Sequence, residues 1–166
     1  MALVKKRIRL LSIDPSINNL GMAIWDVGSK ELLLYKLVHP EIGHRQDEYK
    51  KSLSMLNQLK TWIQVYGVNR MMMEIPEHWA VAGFAARETG SIAKLMFVCG
   101  LLYSLVQELE EVKLVTPRGW KGQLSKEVVA NRLQDHYIPL GVDLTKIDAN
   151  VADAIEMGHF YLYGCV

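Results

Sequence analysis

Asp14 closes the apolar run Arg9-Leu10-Leu11-Ser12-Ile13-Asp14, and Glu74 closes Met71-Met72-Met73-Glu74. A third acid, Asp153, lies inside the apolar segment Ala152-Asp153-Ala154-Ile155. Removing an ion from water costs several kcal/mol, so a carboxylate at the tip of a buried strand calls for a partner. Three such residues, far apart in sequence, could converge at one edge of a sheet and hold divalent metal, the pattern of a metal-dependent nuclease. Mg²⁺ prefers carboxylate oxygens and keeps several waters, so two or three acids suffice when a phosphate supplies further ligands. With two ions about 3.5–4 Å apart, one activates the attacking water and the other stabilises the leaving 3′ oxygen. Taken alone, Asp14 before Pro15 reads equally well as a turn former. The same arrangement at Glu74 argues for a shared site.

Helical geometry sorts the polar residues around Asp153. Asn150 and Glu156 stand three residues to either side, each about 60° from Asp153 around the axis. Asp148 stands five residues earlier, about 140° away if the helix reached that far. Its preferred role is the N-cap of a helix starting near Ala149. Glu156 reads as an outer or surface acid rather than a ligand.

The elements that must position these residues follow from pattern. Residues 7–14 read as a buried strand, Pro15 to Asn19 as a turn and 20–26 as a second strand. Gly28-Ser29 leads into a third strand, Leu32 to Val38, completing an antiparallel meander. Leu53, Leu56, Leu59, Trp62 and Ile63 recur at helical spacing between Gln46 and Tyr66. Gly67 ends that helix, and Val68 to Ile75 form a fourth strand. Residues 76–90 carry no clear period. Ile92 to Leu109 reads as a mostly buried helix, Val112 to Val115 as a fifth strand, 116–125 as a basic loop, and Lys126 to Asp135 and about 149–163 as helices. The expected fold is α/β: a five-stranded mixed sheet, its first three strands antiparallel, flanked by helices.

At 166 residues, half apolar and 22% charged, the chain suits one globular domain spanning 1–166. Cys99 and Cys165 are too few for a disulfide scaffold and lack metal-ligand spacing, so a reducing, cytoplasmic setting is expected. No apolar stretch reaches the roughly 18 residues of a membrane span. The basic start Lys5-Lys6-Arg7 precedes an apolar run that stops at Asp14 with no cleavage site, so no signal peptide is expected. The net charge of +1 neither advertises nor excludes nucleic acid, because acids gathered in one site can hide a basic face.

The segment Ile13-Asp14-Pro15-Ser16 with Gly21-Met22-Ala23, the strand ending in Glu74, and Asn150-Val151-Ala152-Asp153-Ala154 resemble the RuvC family of Holliday junction resolvases. Ala93-Lys94-Leu95 leading to Gly100 does so too, as do Pro117, Trp120-Lys121-Gly122 and Lys126. The likeness runs from about residue 8 to 163, and it rests on the order and spacing of the motifs rather than on any one of them. The compact form with its Trp-Lys-Gly stretch is similar to the divergent resolvases carried by bacteriophages. The resemblance implies an RNase H-like fold, a homodimer, a bacterial or phage-infected host, and Mg²⁺-dependent (or Mn²⁺-dependent) nicking of opposed strands of four-way DNA. Asp14, Glu74 and Asp153 would be the metal-binding carboxylates. The family's fourth ligand, an Asp or His, falls on Asn150, whose amide oxygen can ligate but carries no charge and cannot act as a base. Either Asn150 ligates weakly, or Asp148 substitutes, or one ion is held loosely.

The resemblance further places Arg118, Lys121 and Lys126 near the scissile phosphates, where they would also stabilise transition-state charge. It also offers Trp79, with His78 beside it and Phe84 beyond, as an aromatic that wedges into the junction, although a lid on the local core is an equal use of such a ring. Two opposed cuts need two facing sites, so a C₂ dimer is expected, with the helix from Ile92 apolar on more than one face. No organic cofactor and no membrane are expected. Rival readings are a nuclease of this fold acting on other branched DNA or on RNA, and a catalytically weak junction-binding protein for which Asn150 speaks. An actin-like ATPase is excluded by the short chain and the lack of Gly-rich phosphate loops.

Overall fold

The computed structural model describes residues 6–44, 47–77 and 90–166. Five strands form one sheet: β1 (Arg9–Pro15), β2 (Leu20–Asp26), β3 (Glu31–Val38), β4 (Arg70–Glu74) and β5 (Glu111–Val115), in the order β3-β2-β1-β4-β5. β1–β2 and β2–β3 pair antiparallel, whereas β1–β4 and β4–β5 pair parallel. The helices are α1 (Glu48–Tyr66), α2 (Ser91–Tyr103), α3 (Pro117–Lys121), α4 (Lys126–Tyr137) and α5 (Ala149–Tyr163). The expected mixed sheet with an antiparallel first half is therefore present.

Alternation along the strands sorts side chains between two cores. Leu11, Ile13, Met22, Ile24, Met71 and Met73 face α1 and α2. Leu10, Ala23, Trp25 and Met72 face α3, α4 and α5. β1 and β4 are covered on both faces, which is why they read as unbroken apolar runs. The parallel register sets Ser12 beside Met72 and Ile13 beside Met73. Counting on in twos puts Asp14 and Glu74 on the same α5-facing side.

α5 approaches that side without side chains in between. A Cβ on Gly21, the partner of Asp14 across the β1–β2 ladder, would stand 1.9 Å from the Asn150 carbonyl oxygen. Two turns along, a Cβ on Gly158 would stand 2.0 Å from Nε1 of Trp25 and 2.9 Å from the Ser12 hydroxyl. The Trp25 indole is fully buried and donates to Ser12 Oγ at 3.2 Å, so it has nowhere to retreat.

Some boundaries differ from the pattern reading. α1 starts at Glu48 because Asp47 caps it, accepting from the Tyr49 and Lys50 amides. The helix expected from Ile92 to Leu109 ends at Tyr103 and continues as a 3₁₀ segment, Ser104–Glu108. It is not mostly buried, since Met96, Phe97 and Tyr103 are exposed. The basic loop of 116–125 contains α3, with Thr116 as N-cap bonding the Gly119 amide and Pro117 in the first turn. α4 runs two residues past Asp135 because Tyr137 is fully buried against Trp25.

Gly158→Ala adds a methyl where the indole already stands, a misfit of roughly 1–3 kcal/mol that the ~1 kcal/mol helix-propensity gain of alanine does not offset. Thermal unfolding is expected to show Gly158→Ala less stable than wild type. An alanine variant as stable as the parent would contradict this close packing.

Candidate active site

Asp14 ends the apolar part of β1, 6% exposed, and Glu74 ends β4 on the same face. Asp153 sits in the second turn of α5, 1% exposed, because Gly21 admits the first turn of that helix against β2. The sheet and the helix thus place the three predicted carboxylates in one region, where the charges of Glu74 and Asp153 act on Asp14. Burial first, then the charges of Glu74 and Asp153, push the Asp14 carboxyl up to about 8. Burial likewise raises Glu74.

Two ammoniums answer this concentration of acid. Lys121, at the end of α3, lies 3.7 Å from Asp153 Oδ2 and 4.8 Å from the Trp120 ring centroid. Lys126, at the start of α4, contacts the same Oδ2. Burial works against the Lys126 charge, but the bond to Asp153 and the fields of Asp14 and Glu74 outweigh it and raise its pKa. The two predicted lysines therefore join the carboxylates. The predicted Arg118 points elsewhere: its side chain is largely exposed and paired with Glu77 at 3.5 Å. His78, Trp79 and Phe84 lie outside the described residues.

Asn150 is engaged through its amide nitrogen, which donates to Asn19 Oδ1 at 2.8 Å in the β1–β2 turn. Asp148 caps α5, accepting from the Asn150 amide at 2.9 Å, as its position before Ala149 suggested. Asn18, next to Asn19, accepts from Lys51 of α1 at 3.0 Å.

Two residues escaped the sequence reading. Trp120, 3% exposed, donates its indole N–H to Glu74 Oε2 at 2.7 Å, fixing one carboxylate oxygen. In the sequence, Trp120 counted only as part of the Trp120-Lys121-Gly122 stretch that carries the resemblance, with no role in the site. Glu156 is not a surface acid but 1% exposed, with a pKa raised to about 8 by burial and then by Asp153. α5 is buried continuously from Val151 to His159, so the polar spacing around Asp153 does not mark an outer face.

The donor set suits a hard divalent ion: three carboxylates, an amide oxygen not used by its own hydrogen bond, and carboxyl groups lifted by burial. As they stand, no three His, Cys, Asp or Glu side chains among the described residues are gathered closely enough to hold one ion. Lys126 and Lys121 occupy the Asp153 oxygen instead.

The raised Asp14 pKa has a definite sign in stability. The folded state holds the proton more tightly than the unfolded chain, so this contribution is complete below about pH 4 and lost as pH rises through about 8. Glu156 acts in the same direction. Denaturant titrations of metal-free protein are expected to show stability falling between about pH 5 and 9, with Asp14→Asn shallower and at least about 1 kcal/mol more stable at the alkaline end. An unchanged slope in that variant would contradict the burial of Asp14.

No family model and no curated protein matches the chain. Solved structures do. RuvC of T. thermophilus in complex with a Holliday junction substrate superposes with a TM-score of 0.70 at 19% identity, over 93% of this chain and 94% of that one. A second Thermus thermophilus RuvC structure gives 0.61 at 17% identity, over 95% of each chain. The yeast mitochondrial Holliday junction resolvase Ydc2 gives 0.58 at 12% identity, over 97% of this chain and 82% of that one. The strand order, the parallel switch at β1 and this near-complete overlap give the chain the RNase H-like fold of the RuvC type.

Proposed function

We propose that this chain is a divalent-metal-dependent endonuclease that resolves four-way DNA junctions by paired, symmetric nicks. The observation that carries the reading is the set of buried Asp14 and Asp153 with half-buried Glu74, joined by two lysines, on the fold of known junction resolvases. Asp14, Glu74 and Asp153 would hold the ion, with Asn150 Oδ1 as a neutral fourth donor. Mg²⁺ or Mn²⁺ bound there would supply Lewis acidity and a water of lowered pKa. Trp120 holds one oxygen of Glu74, which orients the carboxylate. Lys121 and Lys126, once released from Asp153, place positive charge where a phosphodiester gains negative charge on attack. Arg118, exposed beside Glu77, serves the flanking backbone.

The same reading makes the protein a C₂ homodimer in the cytoplasm. α2 offers Met96, Phe97 and Tyr103 to a partner, with the Tyr49 ring of α1 tilted at 48° and 6.3 Å from Phe97. Among the described residues no helix is long and apolar enough to cross a membrane. The ion pair between Lys126 and Asp153 favours one second reading, a protein that holds junctions without cutting them.

Labelled four-way junctions, flaps and linear duplexes separate these readings. Wild type in Mg²⁺ is expected to nick opposed junction strands symmetrically, and EDTA, Asp14→Asn or Asp153→Asn to lower the rate by more than about 100-fold, since even outer partners of metal ligands cost 10–100-fold. Junction binding without nicks in Mg²⁺ or Mn²⁺ would establish the binding protein, and equal nicking of flaps a broader nuclease. Trp120→Phe keeps the ring but removes the donor to Glu74. A loss of about 10–100-fold in nicking with junction affinity retained is expected, and an unaltered rate would remove Trp120 from the site.

A further inference from the structure

Glu156 is the acid that the proposed reaction leaves without a task. It lies one turn past Asp153, 1% exposed, and neither carboxylate oxygen has a hydrogen-bond partner among the described residues. A carboxylate buried in that way is costly unless some state of the protein brings it a cation. Asp153 raises its proton affinity, whereas Lys121 and Lys126 lower it. Glu156, Asp153 and Lys126 line one cleft of about 360 Å³ between α4 and α5, together with Ala130, Asn131 and Leu144.

The two lysines are not equivalent. The Lys121 side chain is 10% exposed and packed over Trp120. The Lys126 side chain is 53% exposed, and its flexible stem opens onto the cleft that Glu156 lines. Charge sets a further condition. Asp14, Glu74, Asp153 and Glu156 carry four negative charges when ionised, and Lys121, Lys126 and one divalent ion carry four positive ones. That balance is reached only if an ammonium displaced from Asp153 stays nearby.

Resting on the nuclease reading above, we propose that Glu156 is a positioning residue that receives the Lys126 ammonium when a divalent ion takes the Asp153 oxygen. Lys126 closes the site in the metal-free protein and Glu156 holds it open in the loaded one. Glu156 acts on the ion only through Lys126.

The test is Mn²⁺ affinity without DNA, read from the electron paramagnetic resonance of the free ion, for wild type, Glu156→Gln, Lys126→Gln, the double variant and Asp153→Asn. Glu156→Gln is expected to weaken Mn²⁺ binding about tenfold, Lys126→Gln to tighten it, and the double variant to match Lys126→Gln, because the effect of Glu156 vanishes with the lysine. Two results overturn the proposal: Glu156→Gln binding Mn²⁺ as wild type does, or weakening it equally in the Lys126→Gln background, which would make Glu156 a ligand. Should Glu156→Gln not fold, Glu156→Asp carries the same comparison. Wild type showing no Mn²⁺ binding that Asp153→Asn abolishes is a different failure, that of the metal-dependent reading itself, and the proposal falls with it.

Discussion

The candidate site depends on a contact in which one partner has no side chain. Gly21 lets the backbone of the first turn of α5 rest on β2, directly across the ladder from Asp14. Gly158 repeats the contact two turns later against Trp25 and Ser12. Two such points fix both the height and the tilt of a helix on a sheet. With α5 so placed, Asp153 has no choice but to meet the carboxylates at the strand ends. A methyl group at Gly21 would press on main-chain atoms, which cannot rotate away as a side chain does.

Electrostatics then sets the resting state. Gathering Asp14, Glu74, Asp153 and Glu156 out of water raises the proton affinity of the first, second and fourth of these. Lys121 and Lys126 offset part of that unfavourable field, and both do so at Asp153. The site is thus closed by its own counter-charges. Hydrogen bonds at the rim give direction to groups that charge alone would leave free: Trp120 on Glu74 and Asn19 on Asn150.

Much of this was legible in the chain. Unbroken apolar runs placed buried strands carrying Asp14 and Glu74 at their ends. The cap signal before Ala149 located the start of α5. What stayed hidden has physical reasons. A five-residue helix such as α3 has no period to detect, although Thr116 with Pro117 was a readable start. For Glu156 the spacing left an outer acid and a surface acid both open, and only the enclosure of α5 by the sheet and by α4 removes the surface reading. Trp120 carried no sequence relation to Glu74, since the two meet only through the parallel pairing of β4 and β5.

The turn after Asp14 is held from both sides of the sheet. Asn18 takes the ammonium of Lys51 from α1, and Asn19 takes the amide of Asn150 from α5. Two neighbouring residues thus link the helical layers on the two faces of the sheet. α1, whose outer surface carries Tyr49 beside Phe97 of α2, is thereby tied at the rim of the sheet to the helix bearing Asp153. The rim behaves as a hinge pin shared by two doors, so that neither helical layer can shift at that end without disturbing the other.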